Sequence, residues 1–155
     1  MNIEKNATFE VANLVSIRVS GTQAQIAARM QEMAEYVKSC GAMPTGLPIT
    51  AMHDNDAATQ TADMEFLVPL DGKVATNGDF VFVPQLHINN CVKLEYKGHP
   101  QFLEQSMAEL HRYMSDNNMT AASASYNVPK VRITRQEDLD KFEADVYIAV
   151  DQQGS

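Results

Sequence analysis

A chain of 155 residues suits one domain, because units with a single core usually run to about 100 to 200 residues. With 45% hydrophobic and 21% charged residues there is enough apolar side chain to bury a core, so wholesale disorder is excluded. The formal net charge of −8 repels phosphate backbones, and nucleic-acid binding draws on Lys and Arg that displace counterions, so direct nucleic-acid binding is not expected.

No stretch approaches the roughly 18 consecutive apolar residues of a membrane span. The start MNIEKNATFE lacks the basic-then-apolar order of a signal peptide. The expectation is a cytoplasmic chain with no membrane partner. Cys40 and Cys91 are too few and too far apart for a disulfide framework or a C-x-x-C metal site. The four histidines His53, His87, His99 and His111 form no ligand spacing, and the segment from His53 to Asp56 lacks the glycine and distal glutamate of a calcium loop. No metal and no cofactor is therefore expected. Lys130, Arg132 and Arg135 form the densest basic group, which suits a solvated strand edge better than a nucleic-acid patch.

In chain order, Phe9, Val11, Asn13, Val15, Ile17 and Val19 alternate as in a strand that stops at Ser20-Gly21. Thr22 can cap the helix that follows, where Ile26, Met30, Met33, Ala34 and Val37 make one apolar stripe and Gly41 supplies a stop. After the turn-rich Pro44 to Pro48 comes a short strand, Ile49 to Met52. A polar loop from Asp54 to Asp63 leads to a further strand, Met64 to Leu70.

The second half repeats that order. Phe80 to Tyr96 reads as a long strand whose alternation changes phase near Asn89-Asn90, which predicts a bulge or bend. Pro100 opens a helix with Phe102, Leu103, Met107, Leu110 and Met114 on one face, and Asn117-Asn118 can end it in a left-handed turn. Ala121 to Tyr126 reads as a strand, Pro129 and the charged stretch Arg135 to Lys141 as a connection, and Ala144 to Val150 as the closing strand. Gly21 and Gly98 lie 77 residues apart, and Glu65 to Leu70 matches Asp145 to Val150 at an offset of 80, which is the mark of an internal duplication. The expected fold class is α+β: duplicated β-α-β-β units with pseudo-twofold symmetry, forming an antiparallel sheet with two helices on one face and a ligand groove on the other. The expected layout is a single domain over 1–150, with repeats at about 8–72 and 79–150 and a disordered tail at 151–155.

Strand alternation puts Phe66, Val68 and Leu70 on one side, with Glu65, Leu67 and Pro69 on the other. Likewise Val146, Ile148 and Val150 would pack under the helices, leaving Asp145, Tyr147 and Ala149 on the uncovered face with Tyr126 from the neighbouring strand. A carboxylate among aromatic groups suits an apolar cation, which offers both an ion pair and contact with aromatic faces. From alternation alone, Glu65 and Asp145 better suit a solvated strand face on which Lys or Arg pairs with them.

These residues resemble a known family, the GyrI-like small-molecule-binding domains found alone or as effector-binding parts of AraC-type and MerR-type multidrug regulators of bacterial transcription. The resemblance spans about residues 8 to 150 and rests on five short motifs: Gly46-Leu47-Pro48, Glu65 to Leu70, Lys97-Gly98, Tyr126, and Asp145 to Val150. It implies two units around a cleft for hydrophobic, often cationic compounds, with Asp145 as the cation's partner and Tyr126 lining the cleft. Met52 stands where the family often has tyrosine, and Asp145 is one methylene shorter than the family's usual glutamate. The ligand-binding residues so implied are Met52, Glu65, Leu67, Tyr126, Asp145 and Tyr147, with none of them catalytic.

The leading expectation is a stand-alone module that binds or sequesters a small hydrophobic ligand, acting alone or through a protein partner. An enzyme is disfavoured. That alternative is a hydrolase of small electrophilic compounds in which Glu65 or Asp145 works with Tyr126 or Tyr147. The other alternative is an acidic protein-binding inhibitor, as the family's name-giving members are towards a topoisomerase.

Overall fold

The computed structural model describes residues 2–56, 58–131 and 135–152. The first strand, β1, runs from Asn2 to Thr22, further toward the N-terminus than the alternation of Phe9 to Val19 predicts. Asn6 and Asn13 sit in it at φ 58° and 56°, the left-handed region that asparagine tolerates better than most residues. Helix α1 (Gln23–Ser39) begins where Thr22 caps it. The Thr22 hydroxyl accepts from the Gln25 N–H, and the Gln25 side chain accepts in turn from the Thr22 N–H at 2.8 Å, a reciprocal capping box. Gly21 has to be glycine for two reasons: its φ is +146°, and a Cβ would lie 2.3 Å from the Gln25 Oε1 that closes the box.

β2 (Ile49–Asp56) and β3 (Thr61–Pro69) follow, and here the expected polar loop from Asp54 to Asp63 is corrected. Asp54 pairs with Asp63, Asn55 with Ala62 and Asp56 with Thr61, so the two strands continue through most of the segment and are joined by a tight hairpin. Backbone pairing needs no apolar alternation, which is why composition hides this stretch. β4 (Val81–Lys97) contains Asn90 at φ 57°, at the place where the phase change is expected. A short 3₁₀ turn, Pro100–Phe102, leads into α2 (Leu103–Asp116), which stops at Asn117 and left-handed Asn118.

The single strand expected over Ala121 to Tyr126 is in fact two, β5 (Met119–Ala121) and β6 (Ser125–Pro129). The ladder is interrupted because the Ala149 N–H donates to the Ser123 hydroxyl at 3.0 Å instead of to a backbone carbonyl. The charged connection winds into a 3₁₀ turn, Gln136–Lys141, before β7 (Glu143–Gln152). β7 also corrects the expected tail. Asp151 and Gln152 pair with Thr120 and Met119, while the rest of the tail, 153–155, lies outside the described residues.

The chain divides into two units, Glu10–His87 and Met1–Phe9 with Ile88–Ser155. In the first, β3 lies between β1 and β2, antiparallel to both. Val15, Ile17, Val19, Phe66 and Val68 pack on Met33 and Val37 of α1. In the second, β7 lies between β4 and β6, again antiparallel, and Val92, Leu94, Val146, Ile148 and Val150 pack on Leu110 and Met114 of α2. Each unit is thus an antiparallel sheet with a helix on one face, and the protein is α+β. Burying each such aliphatic side chain contributes about 1.5–3 kcal/mol, so these two clusters hold the sheets in the registers that place the site. Among the described residues no helix is long and apolar enough to cross a membrane.

Candidate functional site

In the second unit the register fixes what shares a face. Val146 and Ile148 point to α2, so Asp145 and Tyr147 point away from it, together with their partners Glu95 and Lys93 on β4 and Val128 and Tyr126 on β6. Three of the expected residues, Tyr126, Asp145 and Tyr147, are therefore brought together as alternation predicts. Phe9 joins them. Its ring stacks on Tyr147 with centroids 4.7 Å apart and planes at 22°, and it meets Tyr126 at 5.3 Å and 40°.

Asp145 is 6% exposed and lies beside two ammonium groups: Lys130 Nζ is 3.4 Å from Oδ2 and Lys93 Nζ is 3.8 Å from the same oxygen. Lys93 also reaches Glu95 Oε1 at 3.3 Å and stands 5.8 Å from the Tyr147 ring centroid, within cation–π range. Burial would lower the Lys93 pKa, but Tyr147, Asp145 and Glu95 outweigh it and carry the ammonium above lysine's ordinary value. Burial raises the Tyr147 hydroxyl above tyrosine's ordinary value, against the opposing pull of Lys93. A phenol so shifted stays protonated at neutral pH and can donate a hydrogen bond.

The expectation that Lys or Arg pairs with Asp145 is met by Lys93 and Lys130, while the sequence assigns neither lysine, nor Phe9, to the site. The two lysines had a readable signal: Lys93 is two residues from Glu95 and Cys91 in a strand, and Lys130 directly follows the strand-ending Pro129. Of the basic group Lys130, Arg132 and Arg135, Lys130 pairs with Asp145, Arg135 with Glu137 at 3.3 Å, and Arg132 lies outside the described residues.

The remaining expected residues belong to the first unit. Glu65 and Leu67 point away from α1, as expected, with their partners Ala51 and Ile49 on β2 and Arg18 and Ser16 on β1. Leu67 and Ile49 are each 2% exposed and Ser16 is buried beside them. Glu65 Oε1 lies 3.4 Å from His53 Nε2. Nearby, Arg18 donates to both carboxylate oxygens of Asp63 at 2.7 and 2.8 Å. That fork holds the Asp63 carboxyl below the usual aspartate range. Met52 does not join Glu65 and Leu67. It pairs with Met64, whose side chain packs on the α1 cluster, so alternation turns Met52 to the other face, where it is exposed. Both carboxylates singled out from the sequence are thus engaged by basic side chains of the chain itself. Among the described residues no group of three or more His, Cys, Asp or Glu is placed to hold a metal.

The fold, as distinct from the site, is found in known structures. No protein-family model and no curated protein matches the sequence. The fold, however, matches the C-terminal domain of EcmrR with a TM-score of 0.71 at 16% identity, over 98% of this chain and 99% of that one. EcmrR in its complex with DNA gives a TM-score of 0.75 at 16% identity, over 97% of this chain and 58% of the other, so the chain spans little more than half of that protein. SAV2435 bound to tetraphenylphosphonium matches with a TM-score of 0.54 at 14% identity, over 97% and 93%. A hydrolase from Listeria innocua matches with a TM-score of 0.54 at 11% identity, over 95% and 92%. The resemblance to GyrI-like effector-binding domains therefore holds at the level of the fold. That fold is carried by a protein in complex with DNA, by one bound to tetraphenylphosphonium and by a hydrolase, so it is the site that has to decide between such roles.

Proposed function

We propose that this chain is a binding module for small hydrophobic compounds, which it takes on the face of the second unit turned away from α2. The proposed site comprises Phe9, Lys93, Tyr126, Asp145 and Tyr147. The observation that carries the reading is the stack of Phe9 on Tyr147 and Tyr126 directly beside a buried, ion-paired carboxylate. Two neighbouring tyrosines make a platform for a flat apolar ring, since each offers a large face at little conformational cost. The ligand's ring takes the place on Tyr147 that Phe9 fills, and the Tyr147 hydroxyl and Lys93 offer donors at its edge. The tetraphenylphosphonium complex of SAV2435, which has the same fold, supports the assignment of small-molecule binding to this architecture.

The hydrolase alternative has no comparable support in the site. Asp145 Oδ2, the candidate acid or base, already faces two ammonium groups of the chain itself. We also propose that the two units derive from one duplicated β-α-β-β segment. In both, the strand before the helix ends at a glycine of large positive φ, 146° at Gly21 and 134° at Gly98, and the closing strand inserts between the other two.

The test is a thermal-shift and calorimetric screen of planar aromatic compounds against the wild-type chain and Tyr147→Ala. Stabilisation of the wild type that is lost in Tyr147→Ala is the expected result. A screen in which no compound stabilises the wild type, or in which Tyr147→Ala responds equally, rejects the assignment.

A further inference from the structure

The charge pattern around Asp145 narrows the class of ligand. The aromatic face is bordered by two carboxylates, Asp145 and Glu95, and two ammonium groups, Lys93 and Lys130, all linked by contacts of 3.3 to 3.8 Å. Two positive and two negative charges cancel. The Tyr147 ring, the best cation-binding surface here, already has Lys93 Nζ 5.8 Å from its centroid. A cationic ligand seated on Tyr147 would meet that ammonium at close range and would have to displace it or Lys130 from Asp145, which is itself buried. An uncharged ring meets neither obstacle. The chain itself places such a ring there: Phe9, 3% exposed, lies almost parallel to Tyr147.

We propose that this face selects uncharged aromatic compounds and discriminates against lipophilic cations, with Lys93 and Lys130 as the residues that set the preference. The inference rests on the reading of this face as the ligand site. It assigns the lysines a specificity role: they satisfy Asp145 from within the chain, so that the carboxylate no longer recruits a cation from outside.

The experiment compares two probes of the same ring size, 2-naphthalenemethanol and the permanently cationic (2-naphthylmethyl)trimethylammonium, titrated calorimetrically at low ionic strength against the full chain. The wild type is expected to bind the alcohol roughly tenfold or more tighter than the cation. In Lys93→Met/Lys130→Gln, where Asp145 and Glu95 lose both partners, the order is expected to reverse. Circular dichroism checks folding of the double variant. Lys130→Gln alone, which alters a half-exposed side chain, gives a smaller shift in the same direction if the double variant does not fold. A wild type that binds the cation as tightly as the alcohol overturns the charge assignment while leaving the ligand site in place, and so does a probe ratio that neither lysine variant moves. If neither probe binds the wild type or a Phe9→Ala variant, the site itself is wrong, and this inference falls with it.

Discussion

Phe9→Ala separates a ring that merely packs from one that occupies a ligand's place. Phe9 is almost fully buried, stacks on Tyr147 and meets Tyr126 at a tilt, so removing it leaves a void against Tyr147. Phe-to-Ala changes in cores cost about 3–5 kcal/mol. A domain of this size has on the order of 5–15 kcal/mol in hand, so the variant stays folded but unfolds at clearly lower urea. If a ligand's ring normally has to displace Phe9, the wild type loses the Phe9 stacking, about 0.5–1.5 kcal/mol for each ring pair, on every binding event. Phe9→Ala loses none of it. Since about 1.4 kcal/mol is a factor of ten, an aromatic probe should bind the variant some tenfold tighter. The same probe, at a thousand times its dissociation constant, should restore about 4 kcal/mol of the lost stability. Urea titrations of both proteins with and without 2-naphthalenemethanol measure all of these quantities. Equal or weaker probe binding by Phe9→Ala refutes the displacement argument, and a stability loss below about 1 kcal/mol refutes the packing argument.

Three further outcomes follow from the fold. The Asp63 carboxyl is held low by the Arg18 fork, so its folded-state pKa lies below the unfolded value near 4. The pair's stabilisation is therefore complete above pH about 4 and is lost as pH falls through the depressed value. Arg18→Gln should melt lower than wild type at pH 7 and converge with it toward pH 2, and a gap that stays constant with pH contradicts the pairing. Leu110→Ala, which opens a cavity under β4 and β7, should cost about 2–5 kcal/mol in urea unfolding, and a cost under 1 kcal/mol would remove Leu110 from the core. Asn118 sits at φ 57° after α2, so Asn118→Ala should lose about 1 kcal/mol and Asn118→Gly almost none; equal losses would mean that the left-handed turn is not what Asn118 supplies.

Much of the framework was legible because it follows from period and punctuation. The Val15-Ile17-Val19 and Val146-Ile148-Val150 alternations, the Thr22 cap and the Asn117-Asn118 stop lie where local chemistry puts them. Phe9 was not legible. Alternation carries it onto the same stripe as Val15, yet Asn13 at φ 56° breaks the alternation between them within β1, and Phe9 packs on Tyr126 and Tyr147 instead of under α1. The break between β5 and β6 was hidden for a similar reason, since it depends on one serine hydroxyl accepting the Ala149 N–H. Met52 was misplaced by resemblance, which supplies a position but not a face. The register with Met64 decides the face.

The two units, compared position by position, show where the chemistry is concentrated. In the first, the three adjacent cross-strand positions on the face away from its helix are Ser16, Leu67 and Ile49, all buried. In the second, the same three positions of the same topology, each 77 or 80 residues later, are Lys93, Tyr147 and Tyr126. The first unit demonstrates that small and aliphatic side chains satisfy this framework. Stability alone therefore does not call for an ammonium and two phenols there: each brings a polar group whose desolvation must be offset by partners, and the pairing of Lys93 and Lys130 with Asp145 is such an offset. Ion pairs of this kind contribute weakly to stability, because the attraction mostly repays the desolvation of the two charges. A pair of half-buried tyrosines over an internally neutralised carboxylate makes physical sense as a recognition surface, and the asymmetry between the units supports the proposal that this surface lies on β4, β6 and β7.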